Sequence, residues 1–298
     1  MYLSYSGFTV YKNCPRAYYY RYIQKLIPSK SNCVHMLYGD VVGKIFEQFY
    51  VDEMWKADLI LMRLMDLVRP VMTRVTVRET EKGGFFDWNE PNLKPGSRSL
   101  DEVEQEIRET IPRGLRSIKY HRLGGIDAEA EVVLDEKVKG HIIGGRADFI
   151  MRRVRPHGDL VIVDGKGSRW RDKYTDSRQL RWYAMLYWLR HGVIPDQLGF
   201  LYWRFEPEES MDWSGVTKSQ LEALLNAILE TIQEIESAKK ELRKGKPNAI
   251  FWANPGSSCS LCGYREHCSE GSKALSDNTK AQIVEDRKRG VEEGEISF

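Results

Sequence analysis

The cysteines of this chain lie towards its two ends, and their spacing constrains the fold more than any other feature. Of five cysteines in 298 residues, one is Cys14, and three form the C-x2-C-x5-C pattern of Cys259, Cys262 and Cys268. A metal centre that used all four would close most of the chain into one loop and clamp the fold between its ends. Thiolates select iron–sulfur clusters or Zn²⁺, and the cysteines alone leave both open.

The composition predicts a globular protein without a membrane-spanning segment. Hydrophobic residues make up 42% and charged residues 30% of the chain, and no apolar run is long enough to cross a bilayer. The first residues lack the basic and apolar pattern of a signal peptide, so we expect a cytoplasmic location. In that reducing compartment cysteines are expected as metal ligands rather than disulfides. Cys33 is expected to be a small buried residue. The net charge of +2 does not by itself indicate nucleic-acid binding.

The hydrophobic pattern predicts a helical N-terminal part followed by a sheet, and therefore a mixed α/β core with a helical insertion. Residues 83–97 are predicted to be a loop, and the charged tail from 276 is predicted to be mobile. Helices are predicted at 4–24 (restarting near Pro15), 37–56, 57–82, 99–121, 177–191 and 217–244, and strands at 128–134, 140–151, 160–164 and 198–205.

Two aspartates and a lysine stand at the ends of neighbouring predicted strands. Asp164 and Lys166 share one face of an extended strand, and a hairpin to the preceding strand would place Asp148 beside Asp164. Two adjacent carboxylates repel each other unless a cation lies between them, and oxygen ligands suit Mg²⁺ or Mn²⁺. The carbonyl of Gly165 could be a further ligand. Such a site fits phosphodiester hydrolysis, although Asp-Gly-Lys is by itself also an ordinary turn at a strand end.

Aromatic and basic residues alternate in two segments, 18–22 and 178–183. They could contact phosphates and stack on bases. Packing of amphipathic helices explains the same pattern, and both interpretations stay open here.

The chain resembles the RecB-like branch of the PD-(D/E)XK nucleases from Ser6 to Cys268. Asp148 matches the first acidic residue of that motif, and Asp164 and Lys166 match the (D/E)XK pair. Gln179 and Tyr183 match a Q-x-x-x-Y motif on the next helix, and the resemblance implies that these five residues are catalytic. The cysteine segments are similar to those of iron–sulfur nucleases of this branch, such as the AddB nuclease domain and the CRISPR-associated RecB-like exonucleases.

The resemblance implies the mixed central sheet of a restriction-endonuclease-like core, with a helical insertion and a C-terminal iron–sulfur knot. It implies one domain over 1–275, divided into a helical part (1–125), a nuclease core (126–215) and a helix with the cluster-binding segment (216–275), followed by the tail 276–298. It also implies two cofactors. Mg²⁺ or Mn²⁺ would be held by Asp148, Asp164 and Gly165, and a [4Fe-4S] cluster, favoured over zinc, by Cys14, Cys259, Cys262 and Cys268.

One position departs from the family pattern. The family usually has a histidine four residues after a glycine in the early helix, and this chain has Gly43 four residues after Gly39. His35 lies upstream and does not match. We predict that Glu47, one turn further on, supplies a third acidic group to the metal. A solvated helix glutamate is the alternative.

These observations predict a Mg²⁺- or Mn²⁺-dependent deoxyribonuclease, an exonuclease that acts on single-stranded DNA or DNA ends. The alternative is a weak or inactive nuclease-fold subunit that binds DNA in a CRISPR adaptation or recombination complex. A phage or another mobile element is a further possible source. An iron–sulfur regulator without nuclease activity is a third reading. DNA and such complex proteins are the expected partners, and no membrane is expected.

Overall fold

The computed structural model describes residues 1–28, 34–81, 99–124, 127–154, 156–168, 171, 177–242, 244–245, 247–256, 259 and 262–273. Cys33, the predicted loop at 83–97, the tail from 276 and the side chain of His35 lie outside these residues. The chain divides into two compact units. We call Met1–Tyr5 with Asn32–Ile232 the sheet unit, and Ser6–Ser31 with Gln233–Phe298 the cysteine unit.

The described elements follow the predicted order of helices, then strands, then a long helix. The helices are α1 Tyr5–Asn13, α2 Pro15–Tyr18, α3 Val34–Val51, α4 Ile60–Glu81, α5 Leu100–Tyr120, α6 Ser177–His191, α7 Lys218–Glu241 and α8 Pro247–Ile250. The strands are β1 Tyr2–Ser4, β2 Ala128–Val138, β3 His141–Val154, β4 Gly158–Lys166, β5 Gln197–Tyr202 and β6 Met211–Ser214. In the part of the chain that is described, no helix combines the length and the apolar character that crossing a membrane requires.

Six strands form one mixed sheet in the sheet unit, as expected from the sequence. β3 pairs antiparallel with β2 and β4, and parallel with β1. β5 runs parallel to β4, and β6 returns antiparallel to β5. The four predicted strands are present. β1 and β6 were not predicted, because strands of three and four residues are too short to show alternation. β1 also takes residues that the sequence assigned to the first helix.

The main hydrophobic core packs α3, α4 and α5 against β3, β4 and β5. Phe46 of α3 stacks on Trp203, just beyond β5, with 4.1 Å between the ring centroids. A Cβ atom on Gly114 of α5 would lie 2.3 Å from Phe46 Cζ, so only glycine lets the two helices approach this closely. Each buried aromatic ring stabilises the fold by roughly 2–3 kcal/mol, and this core supports β4 from below the site described next.

The start of β4 is fixed by a turn that only glycine fits. Gly158 has φ +135°, and a Cβ atom there would lie 2.4 Å from Asp196 Cβ. Asp196 Oδ2 accepts hydrogen bonds from the backbone N–H groups of Asp159 (2.8 Å) and Leu160 (3.0 Å). These contacts set the position from which β4 carries Asp164.

The cysteine unit begins with two helices that break at Cys14. Cys14 has an extended backbone (φ −159°), and Pro15 follows it as the first residue of α2. Proline suits that position because the first N–H of a helix has no partner within the helix. The buried guanidinium of Arg16 donates hydrogen bonds to the carbonyls of Phe251 (2.5 Å) and Asn248 (2.7 Å), which ties α2 to the segment around α8. The predicted restart near Pro15 is therefore confirmed.

Candidate active site

Asp148 and Asp164 occupy neighbouring positions on β3 and β4. The register pairs Phe149 with Val163, so each aspartate stands one residue beyond this pair. Asp148 Oδ2 accepts a hydrogen bond of 2.9 Å from the backbone N–H of Gly165. Asp164 is only 2% exposed. The two strands thus bring both predicted carboxylates to one place in the sheet.

Lys166 and Gln179 connect these carboxylates to α6. Lys166 Nζ lies 2.6 Å from Asp164 Oδ2 and donates a 2.9 Å hydrogen bond to Gln179 Oε1. Gln179 Nε2 donates to Asp164 Oδ1 at 2.9 Å and to the Tyr183 hydroxyl at 3.1 Å. Because Gln179 and Tyr183 are one helical turn apart, they share a face of α6. The structure therefore joins all five residues that the resemblance assigned to catalysis.

Burial dominates the electrostatics of the site. It raises the pKa of Asp148 to about 8, and the charge of Asp164 acts in the same direction. Burial also raises the pKa of Asp164, while the neighbouring Lys166 opposes this rise. The pKa of Tyr183 is raised as well, chiefly by burial, so its phenol keeps its proton. Two desolvated carboxylates beside one ammonium favour the approach of a further positive charge.

The donor set fits a hard divalent cation. Asp164 Oδ2 is buried and accepts no hydrogen bond within the described residues, although Lys166 lies close to it. A buried carboxylate oxygen without a donor is costly unless a ligand satisfies it. The described part of the chain contains no group of three or more His, Cys, Asp or Glu side chains arranged around a common metal position. Two carboxylates are therefore the acidic groups that the geometry brings together.

Glu47 and Gly43 lie on α3, and neither contacts the two aspartates in the contacts described. Glu47 forms an ion pair with Lys44, which also lies 3.2 Å from Glu131 Oε2 on β2. A Cβ atom on Gly43 would meet no heavy atom within 4 Å, so packing does not require glycine at this position. The place where the family carries histidine is open space in this chain.

Two residues that support the site were not predicted as functional. The backbone N–H of Trp203 donates to the Lys166 carbonyl (3.1 Å), and a Cβ atom on Gly165 would lie 2.8 Å from Trp203 Nε1. Arg204 Nε donates to the Gly167 carbonyl at 2.6 Å, and its guanidinium carbon lies 3.4 Å from the centroid of the Tyr38 ring. Together they fix the backbone around Lys166. The sequence placed both in a strand and carried no signal of these contacts.

In the cysteine unit, one cavity is lined by all four predicted cysteine ligands. They are present as free thiols. Three of the sulfurs accept backbone hydrogen bonds: Cys14 from Asn254 (3.5 Å), Cys259 from Gly256 (3.5 Å) and Cys268 from Gly271 (3.4 Å). Burial raises the pKa of Cys262 and of Cys268, although the Gly271 N–H opposes the rise at Cys268.

The chemistry of this cavity fits a metal that prefers sulfur. N–H···S hydrogen bonds stabilise thiolate charge and are a usual feature around iron–sulfur clusters. The described residues nevertheless include no set of three thiols placed around one metal position. The structure thus brings the four cysteines together without showing a cluster.

The mixed sheet and its aspartate–aspartate–lysine group are the features of the PD-(D/E)XK fold class. The chain belongs to the PD-(D/E)XK nuclease superfamily, whose family model matches residues 2–269. The superfamily predicted from the motifs is therefore confirmed. No curated protein matches the chain.

Two solved structures are similar to the chain. One is a protein from Eubacterium rectale named provisionally as an exonuclease, with a TM-score of 0.43, 13% identity, and coverage of 78% of this chain and 79% of the other. The second is the protein SSO0001, with a TM-score of 0.31, 13% identity, and coverage of 89% and 96%. Both TM-scores are low, so membership of the family rests on the sequence match.

Proposed function

We propose that the protein is a Mg²⁺- or Mn²⁺-dependent deoxyribonuclease, an exonuclease on single-stranded DNA or DNA ends. The observation that carries this proposal is the hydrogen-bonded group of Asp148, Asp164, Lys166 and Gln179 on two strands and a helix. A dead site would have no physical need for two buried carboxylates, because burial of each costs free energy. Superfamily membership supports the same conclusion.

Each residue has a distinct role in this proposal. Asp148, Asp164 and the Gly165 carbonyl hold the divalent cation, with Glu47 as a further acidic group. When bound, the cation polarises the phosphoryl oxygen and lowers the pKa of a bound water.

The remaining residues position the reacting groups. Lys166, whose ammonium lies 2.6 Å from Asp164, orients the attacking water and neutralises charge that develops on the phosphate. Gln179 holds Lys166 and Asp164 in register, and the protonated Tyr183 hydroxyl lies at the edge of the same group.

We further propose that Cys14, Cys259, Cys262 and Cys268 hold a [4Fe-4S] cluster with a structural role. The shared cavity and the backbone N–H groups at three sulfurs support it. Cys14 is far from the other three in sequence, so such a cluster would restrict the unfolded chain strongly.

A second function is favoured by one observation. Gly43 stands where the family usually has a histidine, and the space around it is open, so one ligand position lacks its side chain. This favours a weak or inactive subunit that binds DNA in a CRISPR adaptation or recombination complex.

A nuclease assay on protein of measured iron content distinguishes the two functions. We expect an end-labelled single strand to be shortened progressively with Mn²⁺ and to stay intact in EDTA. The position of the label then gives the polarity of digestion. Retained binding of the strand without cleavage at any Mg²⁺ or Mn²⁺ concentration would contradict the nuclease proposal and favour the second function.

A further inference from the structure

Glu131 on β2 stands opposite Asp148 in an unusual backbone conformation. The register pairs Ala130 with Phe149 and Val132 with Ala147, so Glu131 and Asp148 are the two residues between these pairs. Glu131 has φ +53°, a left-handed conformation that costs free energy for a residue other than glycine and is rare inside a strand. The pattern of the sequence gives no reason for this strain at the middle of β2.

Two cations from different elements meet at one oxygen of Glu131. Lys44 Nζ of α3 lies 3.2 Å from Glu131 Oε2, and Arg146 Nη1 of β3 lies 2.5 Å from the same atom. Lys44 also pairs with Glu47. Arg146 is 53% exposed and Lys44 35% exposed, so both can be reached from solvent. A single carboxylate oxygen therefore takes the place in which two cations could hold an external anion.

An ion pair further along the same two strands provides a comparison. Arg152 of β3 lies 2.9 Å from Glu129 and 3.7 Å from Asp127, so there two carboxylates share one cation. At Glu131 the ratio is reversed, with two cations on one carboxylate. Exposed ion pairs contribute little to stability, so stabilisation by these pairs does not account for the strain at Glu131. The excess of donors suits an anion with several oxygens, and arginine binds phosphate in a bidentate manner.

The position of this group relates it to the proposed nuclease site. Asp148 is adjacent to Glu131 across the β2–β3 ladder and two residues from Arg146. The Glu131 charge also adds to the effects of burial and of Asp164 that raise the pKa of Asp148. An anion held by Arg146 and Lys44 would thus lie beside the carboxylates that are proposed to hold the cation.

We propose that Arg146 and Lys44 form a subsite for a backbone phosphate of the nucleic-acid strand next to the scissile bond, and that Glu131 occupies this subsite until the strand arrives. The phosphate displaces the Glu131 carboxylate from both cations. The inference rests on the proposed function for the identity of the ligand, a phosphodiester strand. It assigns a substrate-binding role to residues that no catalytic motif includes.

Binding of a fluorescein-labelled oligodeoxythymidylate in EDTA, followed by fluorescence anisotropy over a range of KCl concentrations, tests the subsite without cleavage. R146A and K44A should each weaken binding by about tenfold, and each should reduce the slope of log K against log salt by about 0.7. R152A, which removes the arginine of the comparison pair, should leave both values unchanged.

The exchange itself predicts a gain. E131Q removes the charge that competes for Arg146 and Lys44, so it should bind the oligonucleotide several-fold more tightly than the wild type. E129Q, the same change two residues earlier on β2, should not. If E131Q does not fold, E131G is the second variant, because glycine accepts a φ of +53° and also removes the competing carboxylate.

Two results would overturn the inference. One is equal affinity and equal salt dependence in R146A, K44A and R152A, and the other is weaker binding by folded E131Q or E131G. A wild-type protein that binds no oligonucleotide would also overturn it. A wild type that binds the strand with the expected variant effects but never cleaves it would refute the nuclease proposal and leave the phosphate subsite intact.

Discussion

The D164N variant should lose Mn²⁺-dependent cleavage of single-stranded DNA by at least about a thousandfold. The change keeps the shape of the side chain but removes the negative charge that is proposed to hold the cation. It also removes the partner of Lys166, whose ammonium lies 2.6 Å from the carboxylate. The measurement is the initial rate of shortening of an end-labelled strand. D159N is the matched control on the same strand, because Asp159 is exposed.

Stability separates this chemical effect from damage to the fold. Burial raises the pKa of Asp164 in the folded protein. A raised carboxyl pKa means that the folded state binds more protons than the unfolded state, so the free energy of unfolding falls as pH rises above the unfolded pKa of about 3.9. The slope is at most about 1.4 kcal/mol per pH unit for one group. Metal-free D164N should therefore be at least as stable as the wild type at neutral pH. An active D164N, or an inactive variant that has unfolded, would contradict this explanation.

The C262S variant should lose the iron of the protein and several kcal/mol of stability. Cys262 lines the cavity that the other three cysteines share, and serine oxygen is a poor ligand for an iron–sulfur cluster. Wild-type protein purified without oxygen should be brown, with broad absorbance in the blue part of the visible spectrum. The measurements are iron per chain, the visible spectrum and the midpoint of thermal unfolding.

The C33S variant is the matched control for this change, since Cys33 is not a predicted ligand. It should keep its iron and its colour. A colourless wild type with one zinc ion per chain would refute the cluster, and so would a C262S variant that keeps all its iron. Either result would leave the sheet unit and its aspartates unaffected.

The residues of the candidate active site could be predicted because short local patterns encode them. Asp164 and Lys166 share a strand face through the period of two, and Gln179 and Tyr183 share a helix face through the period of 3.6. The hairpin between β3 and β4 is similarly local, and it brings Asp148 beside Asp164. Each of these placements needs only the element type and the spacing, both of which the sequence contains.

The contacts around that site could not be predicted, because they join positions that are distant in sequence. Lys44 and Glu131 meet only because α3 packs beside β2. Arg204 reaches the Gly167 carbonyl because β5 lies parallel to β4. The left-handed φ of Glu131 and the open space at Gly43 are likewise properties of the folded backbone. No periodic pattern contains them.

The central claim is that Asp148 and Asp164 together hold a divalent cation, and titration with Mn²⁺ followed by electron paramagnetic resonance tests it most directly. Free Mn²⁺ gives a sharp signal that diminishes on binding. The wild type and D159N should bind Mn²⁺ at a common site, and both D148N and D164N should lose that site while remaining folded. Equal Mn²⁺ binding by all four proteins would contradict the claim.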